Sequence, residues 1–433
     1  MNKPLLTLTA IILAAATGTG HAETRSYQWC VDYARENNIT LRKSLISQNT
    51  AEVDLSEAKG AGLPTLSADV SQGVSTNPWN NGNKSGYTSS YGLNAGWTVW
   101  NGGEREATIR RSEIETEISR LDTDAQMQSL ETGILEIYLN LLYARESITI
   151  CEQAEALSLA QAERAKAMME SGRVSRVDYA QLNSQYEQDK YATVNARATY
   201  ETRCMELKKL LELGIDETVE PEEIATDENA LLASLPDMAE TYRLALSNDR
   251  TLESLTLGKE AADADIEIAR AGGKPKISLN GGVGTGYNAP GISFGSSMKQ
   301  SLGANLGVTL SVPIADGRKT RSAVARARLQ KLDSDLDIEQ RETLLAQNVE
   351  NTYIDTRSAQ ARYTAALSRL EATEISNDLT NEQFALGLVN PVELLTAHNN
   401  LMEAKFTVLQ AKYMALLGLK MIEYYRDNRI TLQ

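Results

Sequence analysis

Very little in this 433-residue chain is arranged to do covalent chemistry. Past residue 22, His398 is the single histidine, so no Ser/His/Asp set and no HExxH pair can be assembled, nor any Cys/His metal spacing. The glycine cluster NGGVGTGY (280–287) lacks phosphate-loop spacing, and neither Lys-Ser/Thr nor a helix follows it directly. What remains is a pair of acids in matching surroundings. Asp178 lies in SGRVSRVDYAQLN and Glu393 in LGLVNPVELLTAH, 215 residues apart, each a few residues after a turn marked by glycine. An acid there suits the first turn of a helix, where free N–H groups and the helix dipole favour negative charge. The same position leaves the carboxylate at the end of a helical hairpin, where charge is available to solvent or to a passing ion.

The elements that would hold these acids are long helices. Residues 104–170 contain one glycine and no proline, and 318–385 contain neither. At 1.5 Å per residue each predicts a helix of roughly 100 Å, a length that implies coiled-coil packing rather than a compact globule. Ala154, Ala156, Ala160, Ala162, Ala165 and Ala167 allow close helix approach. Residues 174–213 and 239–271 read as shorter helices, which end to end match one long helix. The acidic, proline-containing segment 214–236 lies between them at mid-height of such a rod.

The chain also repeats itself. ENNITLRKSLI (36–46) resembles SNDRTLESLTL (247–257), and Pro64 and Pro275 stand 211 residues apart in LPTLSADV and KPKISLNG. Gly102 of WNGGERE and Gly317 of ADGRKTR are 215 apart, as are Gly172 and Gly387. Landmarks in the same order point to a duplication. The expected organisation is a signal peptide at 1–22 and a first repeat at 23–213, made of hairpin 63–100, long helix 104–170 and helix 174–213. An equatorial linker at 214–236 follows. The second repeat, 237–433, holds hairpin 275–313, long helix 318–385 and helix 391–425.

The strands carry the decisive pattern. In SLGANLGVTLSV, Leu302, Ala304, Leu306, Val308, Leu310 and Val312 alternate with small or polar residues. A strand therefore shows one apolar face and one wet face. In YTSSYGLNAGWTVW, Tyr87, Tyr91, Leu93, Ala95, Trp97 and Val99 share a face in the same way. Strands at 63–75, 87–100, 275–287 and 301–313 are long for a soluble sheet and suit a tilted membrane-spanning strand. Four strands cannot close a barrel, and an open edge is not tolerated in lipid. The subunit must therefore oligomerise through its strands, and three copies would supply twelve. On this reading the glycines of 280–287 face a lumen or form turns. Trp97, Trp100, Tyr87, Tyr91 and Tyr287 belong either to an aromatic girdle or to ordinary cross-strand packing. The loops TNPWNNGNKSG and NAPGISFGSSMKQ are expected to be solvated.

Bulk properties agree with an exported chain. Lys3, an apolar run to Ala16 and the small-x-small Gly20-His21-Ala22 read as a secretory signal peptide. No cysteine directly follows that site, so no lipid anchor is read. No later stretch is apolar enough for a transmembrane helix. The net charge of −15 argues against nucleic acid as a partner. Three cysteines, Cys30, Cys151 and Cys204, are too few for a disulfide scaffold, and buried free thiols are expected over a Cys151–Cys204 pair.

Taken together, GLVNPVELLTA (387–397), GRVSRVDYAQ (172–181), LPTLS and KPKIS resemble the outer-membrane factor family, the TolC-like trimeric channels, over essentially the whole exported chain. The resemblance implies a mainly α fold with a β membrane part: a duplicated helix-strand-strand-long helix-helix repeat. Four strands per protomer would complete a twelve-stranded trimeric barrel on a long helical periplasmic tunnel. It further implies a homotrimer in outer-membrane lipid, exporting small molecules or proteins delivered by an inner-membrane RND or ABC pump through a periplasmic adaptor. No enzymatic activity and no cofactor are implied. Asp178 and Glu393 would ring the periplasmic entrance, where up to six carboxylates attract cations; helix capping remains the other role for both. The family's basic tip residue falls at Val389 and its next acid at Thr396, so that lock differs in form here, and Arg173 and Arg176 are candidates to replace it. Gly172, Arg173, Val174 and Ser175, with Gly387, Leu388, Val389, Asn390 and Pro391, would form the adaptor-docking tips. The alternative is a soluble periplasmic coiled-coil scaffold or structural protein.

Overall fold

The computed structural model describes residues 24–76, 85–224, 227–287 and 293–432; the expected signal peptide at 1–22 lies outside them. The first half runs β1 (Thr24–Arg25), α1 (Tyr27–Asn37), α2 (Ile39–Gly60), β2 (Thr65–Thr76), β3 (Ser85–Trp100), α3 (Glu104–Glu170) and α4 (Arg176–Leu211). After β4 (Glu220–Pro221) and α5 (Glu228–Leu231), the same order returns. It runs α6 (Met238–Asn248), α7 (Arg250–Ala271), β5 (Lys276–Tyr287), α8 (Phe294–Gln300), β6 (Gly303–Ser311), α9 (Lys319–Ala385) and α10 (Pro391–Asp427).

The two long helices, α3 and α9, have 67 residues each, about 100 Å of rod. One half of α3 packs along α4, and the other half along α2 and α7; α9 packs along α7 and α10. Ion pairs mark these seams: Lys59–Glu113 at 3.0 Å joins α2 to α3, Arg111–Asp265 at 3.1 Å joins α3 to α7, and Lys259–Asp335 at 2.7 Å joins α7 to α9. All are exposed pairs, which fix register more than they stabilise. Of the six alanines expected to allow close approach, Ala154, Ala162 and Ala165 are buried, while Ala156, Ala160 and Ala167 face outward.

The single helix expected over 239–271 is two. Asp249 is extended, with φ −75° and ψ 103°, and its carboxylate caps α7 by accepting from Leu252 N at 2.8 Å. Asn38 makes the same break between α1 and α2 and caps Leu41 N at 3.1 Å. A side chain that accepts from a free N–H offsets the interruption of the helix. Helices α4 and α10 run 176–211 and 391–427 rather than 174–213 and 391–425, end differences set by their caps.

The largest core lies at mid-height, where Tyr27, Cys30, Leu135, Tyr138, Leu142, Leu207, Leu211 and Leu416 are buried together. Segment 214–236 is held against it. Strand β4 pairs with β1 in parallel. Tyr138 donates its hydroxyl proton to the carbonyls of Arg25 and Glu222 at 3.0 and 3.2 Å, and Arg145 donates to the Pro221 carbonyl at 2.7 Å. The three cysteines are free, Cys30 and Cys151 buried as expected and Cys204 only half-buried, and burial pushes the Cys30 thiol up to about 12.

The four long strands form one antiparallel sheet in the order β2-β3-β5-β6. Its register sets Leu66 opposite Ala95, Ala95 opposite Gly281, and Gly281 opposite Leu306. The next rows are Ala68–Leu93–Val283–Ala304 and Trp97–Leu279–Val308. With a side-chain period of two, these residues share one face, and Ser67, Asp69, Asn94, Asn280, Asn305 and Gly307 share the other. Strand β6 covers 303–311, so Leu302 and Val312 flank it rather than lie within it. Part of the expected solvated loop before it is helical: α8 is tied to β5 by Ser301 Oγ, which donates to Gly286 O at 2.6 Å and accepts from Gly286 N at 2.9 Å. Most of the other strand loop, residues 77–84, lies outside the described residues.

Candidate functional site

The two helical hairpins end in the same geometry. Helix α3 stops with Gly172 at φ 75°, Gly172 N donating to Met169 O at 3.0 Å and Arg173 N to Met168 O at 2.8 Å. Helix α9 stops with Gly387, also at φ 75°, with Gly387 N to Phe384 O at 3.0 Å and Leu388 N to Gln383 O at 2.9 Å. This is the left-handed glycine stop, in which two otherwise free carbonyls are satisfied by the turn. Each next helix then starts on a polar cap. Ser175 accepts from Asp178 N at 3.1 Å, and Asp178 accepts in return from Ser175 N at 3.0 Å. Asn390 accepts from Glu393 N at 3.0 Å and donates its amide to the Glu393 carboxylate at 2.7 Å. Pro391 is the first residue of α10, where its missing N–H costs nothing.

Asp178 therefore completes a capping box with Ser175, whereas Glu393 accepts only from the side chain of the N-cap Asn390; both sit at the hairpin ends, Glu393 exposed and Asp178 half-buried. Beneath them Ala165, Leu182, Phe384 and Leu394 form a small core that joins the two hairpins, with Val389 packed against it. Val389 thus serves as part of the tip's packing. Thr396 is exposed and donates to the Val392 carbonyl at 2.8 Å. Around the turns, Val177, Leu386, Leu388 and Val392 present apolar side chains to solvent, Leu386 being 76% exposed. Arg173, Gly172, Ser175, Gly387 and Asn390 are exposed, and Val174 is half-buried.

The sheet is the second site. Leu306, Val308 and Leu310 are 79%, 72% and 62% exposed, and Leu66, Val70 and Val74 on the opposite edge strand are similarly open. Edge strands β2 and β6 each lack a neighbour on one side. On the polar face Asn94 donates to Asp69 at 2.7 Å. Trp97 sits at the base of the sheet and donates its indole N–H to Gly62 O at 2.9 Å. Tyr87 packs against Tyr287 with ring centroids 6.1 Å apart.

A third arrangement escaped the sequence reading. Within about 20 Å of the tips, the hairpins are bridged by a layer of buried polar side chains. His398 Nε2 lies 3.0 Å from Asp189 Oδ2, Gln185 donates to Asp189 at 2.9 Å, and Gln161 donates to Asn381 at 2.7 Å. Burial alone would raise the Asp189 carboxyl, but contacts from His398, Ser158 and Gln185 hold it below the usual carboxylate range. A signal existed in the sequence: Leu182, Gln185, Asp189 and Thr193 fall on one helical face, and that face is buried.

A sheet with one largely apolar face, set on helices about 100 Å long, defines a class: outer-membrane exit channels. The family model described as outer membrane efflux protein matches residues 30–212 and 241–417, and the chain belongs to that family. Its members are channels rather than enzymes, and they reside in the outer membrane. Among curated relatives, TolC of Escherichia coli (strain K12) is 23% identical over 444 aligned positions, which cover 96% of this chain and 85% of that one. The alkaline protease secretion protein AprF of Pseudomonas aeruginosa is 24% identical over 317 positions, 70% of this chain and 62% of that one. Among solved structures, CusC superposes with a TM-score of 0.79 at 17% identity, covering 94% of each chain. The channel OprN gives 0.76 at 18% identity, over 92% of this chain and 89% of that one. At such identities these structures attest the fold. This chain is thus an outer-membrane exit channel.

Proposed function

We propose that three copies of this chain close a twelve-stranded barrel through the edges of β2 and β6, continued by a helical tunnel across the periplasm. The observation that carries the reading is the sheet, in which one contiguous apolar face and two unpartnered edges occur together. In lipid every strand edge must be paired, so an open sheet with this face needs further copies. The apolar face meets lipid, and the Ser/Asn/Gly/Thr face lines the lumen.

The duct passes substrates delivered by an inner-membrane RND or ABC pump through a periplasmic adaptor, as part of a tripartite efflux or type I secretion system. The relative AprF is an alkaline protease secretion protein, which supports export of this kind. Exposed Leu386, Leu388, Val392 and Val177 at the tips support docking of the adaptor there. Asp178 and Glu393, at the same ends, give the entrance its negative potential. The two halves, 23–213 and 237–433, are read as repeats of a duplicated unit around the segment 214–236; the matched caps Asn38 and Asp249, and the matched tip turns, support this.

Fractionation tests the reading against a soluble scaffold. A barrel should stay in the membrane pellet through carbonate washing and behave as a trimer in detergent. A monomer released by the wash would overturn it.

A further inference from the structure

We propose that the buried His398–Asp189 contact is a proton-operated latch between the two helical hairpins, and that acidification tightens it. The inference rests on the channel reading only for its consequence, the opening of the inner end of the duct; the latch itself is a property of the helices.

Helices α3 and α4 pack as one hairpin and α9 and α10 as another, and contacts between the two hairpins are sparser than those within them. Three side-chain links cross between the hairpins in the polar layer. His398 on α10 meets Asp189 on α4 at 3.0 Å, Gln185 on α4 reaches Asn399 on α10 at 3.5 Å, and Gln161 on α3 donates to Asn381 on α9 at 2.7 Å. The layer is closed off from bulk water at its centre: His398 is 1% exposed, Asp189 7%, and Ser158 0%.

The pair is close but incompletely bonded. His398 Nε2 and Asp189 Oδ2 are 3.0 Å apart, yet neither forms a hydrogen bond of good geometry, and His398 Nδ1 also has no partner. A buried polar atom without a partner is unfavourable, so this layer holds the hairpins together less firmly than an apolar one would. Adding a proton to His398 changes the balance. The imidazolium faces an ionised carboxylate in a low-dielectric layer, and the two sides attract as an ion pair.

The other titratable groups at this level do not compete for that role. The Cys151 thiol on α3 is pushed up by burial and by the charge of Asp189, so it stays protonated. Glu152 on α3 is turned outward to Arg197 on α4 at 2.6 Å. To the layer α9 contributes the amides Asn377 and Asn381, and α10 adds Asn399. A groove of about 370 Å³, lined by Gln185, Asp189 and Asn399, reaches the Asp189 side of the pair from the surface.

Hydrogen–deuterium exchange on the detergent-solubilised full chain tests the latch. Peptides covering 177–195 and 390–405 are compared at pH 8 and pH 5.5, after correction for intrinsic exchange. In the unsubstituted protein the acid sample should show an opening equilibrium lowered about tenfold, the size of effect that a hydrogen bond to a charged group supplies. His398→Gln and Asp189→Asn should each abolish that response, and Asp189→Glu, which keeps the charge, should retain part of it. Protection that ignores pH in the unsubstituted protein, or a response that survives His398→Gln, would overturn the proposal. Bilayer conductance of the same samples is read separately. If no sample conducts, the channel reading fails while the exchange data still decide the latch. If all conduct, acidification should reduce open time only where His398 and a carboxylate at 189 are both present.

Discussion

Leu306 and Gly307 are neighbours in sequence and opposites in environment, so one charged substitution placed at each in turn tests the orientation of the whole sheet. Leu306 lies near the middle of β6, opposite Gly281, and is 79% exposed on the apolar face. An arginine at the mid-depth of the lipid face of a barrel costs about 2–4 kcal/mol. With three copies in one ring, Leu306→Arg should lose about 6–12 kcal/mol from the assembled trimer, enough to prevent its insertion. Gly307 points to the other face, and a Cβ built on it meets nothing within 4 Å. Gly307→Arg should therefore leave assembly within about 1 kcal/mol of the parent, as a solvated surface change does, and alter the pore instead. The assay is the amount of heat-resistant trimer on native electrophoresis of outer-membrane fractions, followed by single-channel recording. Equal losses at the two positions, or a greater loss at Gly307, would refute the facing assignment.

Other expectations follow from the tips and the bundle. Replacing Asp178 by Asn and Glu393 by Gln together keeps hydrogen-bond acceptors at both caps while removing the charge. Cation selectivity in bilayers should fall, with thermal stability changed by less than about 1 kcal/mol per site. Gly387→Ala places a Cβ in a backbone at φ 75° with open space around it; the cost should be the conformational one of about 1–2 kcal/mol, read from denaturant midpoints, and Gly387→Asn should cost less. In Gly418→Ala the new Cβ would fall on Thr356 Oγ1, so α9 and α10 must separate. A loss of about 1–3 kcal/mol is expected, partly recovered by adding Thr356→Ala. Because the Asp189 carboxyl is held below its usual range when folded, its contribution is present above the ordinary aspartate pKa. It is lost as pH falls through the lowered folded value. The stability gap between the parent and Asp189→Asn should therefore close in strong acid, by thermal melts across that range.

The strands were legible because alternation is a local property: the twelve residues from Ser301 to Val312 announce their two faces without any partner. Their pairing was not, since the contact of β3 with β5 joins residues near 95 to residues near 281. The break at Asp249 had a local signal, the polar Asn-Asp step before Arg250, but the helical composition on both sides outweighed it. Helix α8 is short and held by Ser301 against β5, a tertiary cause that loop composition does not carry. At the tips, glycine spacing announced the turns and the acids announced the caps. The polar layer was hidden because His398 and Asp189 are distant in sequence and each looks ordinary on its own helix. Only the packing of two hairpins brings them within 3.0 Å.

Planar-bilayer recording of the detergent-purified protein, with its subunit number determined on the same sample, shows whether the strands close a pore between copies. A trimer that opens cation-selective channels is the expected result. A monomer that needs no detergent and never conducts would contradict it.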